Sequence, residues 1–170
     1  MSFFDHTANV REIAATVLMP GFMAEGTLRV RGMLQTYIND EQRPVMALYD
    51  VSLYGLEQGN PARSVHVPEL FVRKSVCQVV AFQETFSQED VGLKPRSERL
   101  AAYTSHYVIQ GDFHLGADAL IGDFIEASKS WFLNVTDAAF FTLFPAQAGI
   151  LSGAPLVFLH REAVRMHHAL

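Results

Sequence analysis

The residues able to do chemistry in this sequence stand apart from one another. Asp112 and His114 are two residues apart in an alternating segment, so they share one face of a strand, and His106 has the same parity. A carboxylate and an imidazole on one face can act as an acid–base pair or as two ligands of a metal. A metal needs a third convergent group, and no H-E-x-x-H or comparable spacing supplies it. His167 and His168 are adjacent and point to opposite sides of any strand. Cys77 sits in the apolar stretch Val76-Cys77-Gln78-Val79-Val80, where a free thiol packs as a small hydrophobe. There is no G-x-S-x-G elbow, phosphate loop or dinucleotide fingerprint, and Glu57 inside Gly55–Gly59 is the wrong charge for a phosphate cradle. Asp50 and Asp137 suit either paired acids or turn residues bonded to backbone amides. The reading is of no catalytic residue, no metal and no cofactor.

Cations are the second kind of chemistry. Arg29, Arg31, Arg43, Arg63, Arg73 and Lys74 all lie in the first half and would suit a phosphate backbone. The 13 basic and 18 acidic residues leave a net charge of −5, so no global positive field exists. Arg29 and Arg31 alternate with apolar neighbours and read better as the wet face of a strand. DNA is not expected as a partner.

These groups need elements to position them. A chain of 170 residues with 49% hydrophobic and 18% charged residues is a folded domain or two small ones, not a disordered tail. One cysteine forms no internal disulfide and rules out a Cys-rich zinc module. Asp5, Arg11 and Glu12 interrupt the apolar run a secretory leader requires, and Pro145 closes the apolar run Ala138–Phe144 far short of a membrane span. The expected location is the cytoplasm.

The most informative feature is an internal likeness. With Gly32 over Gly111, Leu28, Val30 and Leu34 match Tyr107, Ile109 and Phe113 in the period of a strand. With Asp50 over Asp137, two strand-like segments match, each followed by a Gly/Pro loop. Each half then ends in apolar residues around a basic one, at Phe71–Val76 and Leu159–Val164. The expected organisation is a first β unit at 1–84, a linker at 85–100 and a second β unit at 101–170. Val10, Ile13, Ala14 and Val17 predict an N-terminal helix capped by Thr7 and stopped by Pro20-Gly21. Leu120, Ile121, Phe124 and Ile125 predict a helix inserted in the second unit behind Asp118, where the first has only the shorter stretch Tyr37–Pro44. The apolar stretch Ala138–Phe144 is predicted to meet the other unit or another subunit through Phe140, Phe141, Leu143 and Phe144.

Two glycine-bearing strands, an Asp-containing strand turn and a closing strand opened by Val-Arg resemble the Sm-like fold. Val72-Arg73-Lys74-Ser75-Val76 is similar to that family's second motif, and Gly32-Met33-Leu34 with Leu48 and Asp50 to its first. The resemblance implies a mainly β protein with a few short helices, built as two tandem small barrels packed as a pseudo-dimer. It also implies ring assembly and an RNA site at Arg73, Lys74 and Arg161. The sequence departs from the pattern at Lys74, where glycine is expected, and at Glu162, whose charge opposes phosphate. The reading that follows is a non-catalytic, self-associating structural or interaction module, its partner a second copy or another protein. RNA binding is the alternative. A ligand-binding barrel or an enzyme using Asp112 and His114 is the third.

Overall fold

The structure, a computed structural model, describes residues 9–170. It is mainly β, with short helices, and its strands form one antiparallel sheet that does not close. The first half contains β1 (Val10–Met19), β2 (Phe22–Arg31), α1 (Leu34–Asn39), β3 (Val45–Gly55), β4 (Val65–Arg73), a 3₁₀ turn (Lys74–Val76) and β5 (Val79–Phe82). After α2 (Gln88–Val91) the same series returns: β6 (Arg96–Tyr103), β7 (Tyr107–Leu115), α3 (Phe124–Ala127), β8 (Phe132–Thr142), β9 (Gly153–His160), a 3₁₀ turn (Arg161–Ala163) and β10 (Met166–Ala169). Across the sheet the order is β10-β6-β7-β8-β9-β5-β1-β2-β3-β4. Each half therefore contributes its strands in the same sequence, and β5 joins them by pairing with β9.

The predicted N-terminal helix is a strand. β1 pairs along its whole length with β2 through the two-residue turn Pro20-Gly21, where Gly21 takes φ +71°. Pro fixes the first turn position and Gly accepts the positive φ of the second. From Ala15 to Leu18 every side chain of β1 is buried, on both faces. Two-sided burial removes the alternation that marks a strand, and the remaining apolar spacing also fits a helix. Thr7, the expected cap, lies outside the described residues.

The likeness between halves is anchored by aspartate rather than by the glycine pair read from sequence. Asp50 (φ 53°) and Asp137 (φ 48°) are the only non-glycine residues with positive φ among those described. Asp tolerates this left-handed region better than most residues. Each breaks the register with the preceding strand, between Glu25 and Thr27 in β2 and between Gln110 and Asp112 in β7. The counterpart of Gly111 is thus Gly26, whereas Gly32 lies just beyond β2 with open space around it. A Cβ on Gly111 would stand 2.5 Å from Val135 Cγ1 and 2.9 Å from the Thr136 carbonyl oxygen. On Gly26 the nearest atoms are at 3.0 Å. Both strands need a residue without a side chain where the bulge crosses.

Two further expectations change. A helix occupies the same place in both halves, α1 and α3, and the N-cap of α3 is Asp123, not Asp118. The segment expected as linker already contains the start of β6, Arg96–Arg99, whose charges sit on the exposed parts of a paired strand. What remains of the connection is pinned down. Ser87 caps α2 by accepting from the Asp90 amide, and Asp90 takes both Arg11 guanidinium nitrogens at 2.8 Å and the Leu34 amide at 2.9 Å. That ion pair holds the Asp90 carboxyl below the usual carboxylate range.

The apolar residues form two clusters that exchange members across the junction. The first-half cluster (Leu28, Leu48, Val51, Val80 and others) includes Phe132, Leu156 and Phe158 from β8 and β9. The second-half cluster (Leu100, Ile109, Phe113, Val135) includes Leu18, Met23, Val79 and Ala81 from β1, β2 and β5. Separately closed barrels are not what is observed; each core is finished by strands of the other half. Gly111→Ala should destabilise the fold by about 1–3 kcal/mol through overpacking at the bulge, read as a fall in Tm of several degrees. Gly26→Ala, with its longer contacts, should cost less in the same melt.

Candidate interaction surface

The basic residues expected at an RNA site do not converge. Lys74 is buried, and its Nζ donates to the Tyr37 and Asp40 carbonyl oxygens, both at 2.9 Å. Asp40 is the C-cap of α1, so the ammonium closes the negative end of a helix. Burial lowers its pKa from the ordinary lysine value. Arg161 holds the corresponding place in the second half and donates from Nη1 to the carbonyl of Ser128, the C-cap of α3. Each of these two cations fastens a helix end inside its own half. Only Arg73 is exposed, beside a cavity of about 260 Å³ lined by Pro44, Val45, Ser75 and Trp131.

The acid–histidine pair is likewise engaged. Asp112 faces Arg99 at 3.3 Å, and the His114 ring bridges the Lys94 carbonyl and the Thr136 hydroxyl, each at 2.9 Å. His106 is not on β7; it lies in the turn before it, against Ser105 and Gln78. Asp50 is exposed beside His66 at 3.1 Å, and Asp137 is exposed as well. The Cys77 thiol is buried, and desolvation pushes it up to about 12. Among the described residues no three His, Cys, Asp or Glu side chains gather to hold a metal.

The apolar residues are more informative. The predicted interface divides: on β8 Phe140 is in the core and Phe141 is 50% exposed, and just beyond the strand Phe144 packs against the core while Leu143 is exposed. Phe141 ends a row across four strands, Met166–Tyr103–Val108–Phe141, set by the registers β10–β6, β6–β7 and β7–β8. Met166 is 61% exposed. The matching row of the first half is Val79–Leu18–Met23–Tyr54. Its first three members are buried in the second half's core and Tyr54 packs against it. Among the described residues the first row is covered by the neighbouring half, whereas in the second Val108 is buried, Tyr103 half-buried, and Met166 and Phe141 at its two ends are exposed.

The outer strands tell the same story from the other side. Phe158 in β9 lies opposite Asn134, three residues before Asp137, and Phe71 in β4 lies opposite Ala47, three before Asp50. Phe158 is fully buried, its ring 5.9 Å from that of Phe82 in β5. Phe71 is 66% exposed. It borders an apolar groove of about 340 Å³ formed with Met19, Phe22, Leu53, Leu70 and Val72. Among the described residues β4 and β10 are the two ends of the sheet, each paired to a strand on one side alone.

Sequence reasoning passed over Phe71 and Met166. The signal was available in the duplication: once Lys74 is matched with Arg161, Phe71 falls on Phe158, and an apolar strand expected to be buried acquires an unburied twin. Comparison with known proteins finds no matching family model, characterised protein or solved structure.

One buried group at the junction responds to acid. His160 ends β9, its ring 4.9 Å from that of Phe132, with Nδ1 accepting from the Glu162 amide at 3.2 Å. Burial lowers its pKa below the ordinary imidazole value. The unfolded chain then takes up a proton near pH 6.5 that the folded one resists. Folding stability is full above about pH 6.5 and declines as pH falls below it. The Asp90–Arg11 pair weakens only at lower pH, below the range where a free carboxylate titrates. Denaturant melts from pH 8 to 5 should show this decline in the native chain and a flatter profile in His160→Gln.

Proposed function

We propose that this chain is a non-catalytic, self-associating structural module whose two Sm-like halves continue their sheet from one copy to the next. The observation that carries the reading is the contrast between Phe158, buried at the inner junction, and Phe71, its exposed counterpart at the outer edge. The inner junction pairs Val79 with Leu159, Val80 with Phe158, Ala81 with Val157 and Phe82 with Leu156. Repeating that register between copies brings Met166 opposite Val72, His167 opposite Phe71, His168 opposite Leu70 and Ala169 opposite Glu69. Met166 then enters the groove bordered by Phe71.

The two edges differ, so the contact is head-to-tail. A closed ring is the arrangement that leaves no edge unpaired. Burying one phenylalanine contributes about 1.5–3 kcal/mol, enough to shift an association equilibrium by tenfold or more. Of the three residues of the Sm-like RNA site, Arg73 is the one left for RNA, because Lys74 and Arg161 are committed to helix ends.

Size-exclusion chromatography with light scattering across a concentration series tests the reading. The native chain should exceed the mass of one copy at high concentration. Phe71→Glu, which changes an exposed side chain, should run as a monomer with an unaltered circular-dichroism melt. A native chain that stays monomeric throughout, or a Phe71→Glu chain that assembles as well as the native one, defeats it.

A further inference from the structure

The likeness of the halves extends to the segments that lead into them. Ala15 pairs with Gly26 in the first half and Leu100 with Gly111 in the second, so a shift of 85 residues superposes β1–β2 on β6–β7. The same shift places Arg11 on Arg96, Gly32 on Ala117 and Gln35 on Leu120. It also places Ser2-Phe3-Phe4-Asp5, which precedes the described residues, on Ser87-Gln88-Glu89-Asp90. Both segments have serine and aspartate three apart, the pair through which Ser87 caps α2.

Within the chain, residues 87–90 lead into the second half but grip the first. Asp90 takes both Arg11 nitrogens, Arg11 also reaches the Gly32 carbonyl at 2.9 Å, and Gln35 Nε2 donates to the Glu89 carbonyl at 3.1 Å. The half so gripped is the one whose β5 pairs with β9 of the half that follows. In the assembly proposed above, the half beyond β4 is the second half of a neighbouring copy, joined through its β10. On this geometry, and resting on that assembly, we propose that residues 2–5 of one copy grip the second half of its neighbour at Arg96 and Leu120.

The receiving groups are in place. Arg96 keeps the turn contact of its counterpart, its Nη1 donating to the carbonyls of Ala117 at 3.3 Å and Ala119 at 2.6 Å. Where Arg11 has Asp90, Arg96 has Glu98 of its own strand, one oxygen of which takes Nε at 3.3 Å and Nη2 at 3.0 Å. A guanidinium has five N–H donors, so one Nη2 hydrogen is left for Asp5. Two carboxylates at one guanidinium repel each other, and exposed Lys94, two residues before Arg96, adds positive charge against them. The ion pair therefore sets the register, and the apolar partner supplies the affinity. Leu120, next to the Ala119 carbonyl that holds Arg96, is 69% exposed. Its counterpart Gln35 meets Glu89, and Leu120 would meet Phe4. Both sides of the contact change together, from polar to apolar, and Phe4 on Leu120 removes both from water.

Phe4→Ala in the full chain should raise the dissociation constant measured by sedimentation velocity about tenfold, the loss expected for one buried phenylalanine. Mixing full chains that carry Phe4→Cys with full chains that carry Leu120→Cys, under mild oxidation, reads the contact directly. Neither chain holds both substitutions, and the native Cys77 is buried. Peptide mass mapping should find positions 4 and 120 joined between copies, and the link should vanish when both chains also carry Phe71→Glu. If the native chain associates while Phe4→Ala leaves its dissociation constant unchanged, or while positions 4 and 120 stay unjoined, the inference is overturned and the assembly reading stands. A link that survives Phe71→Glu places the contact outside the edge-to-edge assembly and overturns the inference too. A native chain that is monomeric at every concentration sinks both.

Discussion

Four residue pairs between β5 and β9 hold the molecule together. Among the described residues they are the pairing between named strands of the two halves, supplemented by a single bridge from Glu57 to Ala146, and they set which side chains each core receives. Because the partners are antiparallel and in fixed register, Phe158 and Leu156 are delivered into the first core, and Val79 and Ala81 into the second. Neither apolar cluster is complete without this exchange. A half of about 80 residues is near the size at which one core becomes marginal, so the shared burial compensates for what each half lacks.

The repeated bulge shows how a chemical feature as small as one carboxylate side chain maintains this arrangement. Asp50 and Asp137 sit in the left-handed region where Asp is tolerated, and each requires a glycine on the strand it faces. Both acids are exposed, and what the structure uses in them is the backbone conformation they tolerate. The basic residues follow the same logic. Lys74 and Arg161 begin matched turns and both reach back to the end of a short helix, a structural use of charge that a motif comparison reads as recognition.

Much of this was legible beforehand. Strand content, the Asp50–Asp137 match and the burial of Cys77 follow from alternation and from residue type. The misreadings have identifiable causes. β1 is buried on both faces, and its apolar residues then satisfy helical spacing as well as strand spacing. Gly32 attracts the eye because flanking apolar residues alternate in phase, but it is a terminal residue of positive φ, and Gly26 holds the crowded position. Arg96–Arg99 reads as linker because charged residues dominate it, although its backbone is paired throughout. Phe140 and Phe141 belong to one apolar run, and the pleat of β8 turns them to opposite faces, while Leu143 and Phe144 lie just beyond the strand, one exposed and one against the core.

The short connection through α2 has a bearing on stoichiometry. Asp90 clasps Arg11 and the Leu34 amide, so the segment leading to β6 is stapled to the first half. The two halves therefore always travel as a couple and meet at the high effective concentration a brief tether provides. In the proposed assembly, contacts between separate chains would instead depend on how abundant the chain is. Any closed assembly built this way counts its halves in even numbers, with alternating covalent and non-covalent seams.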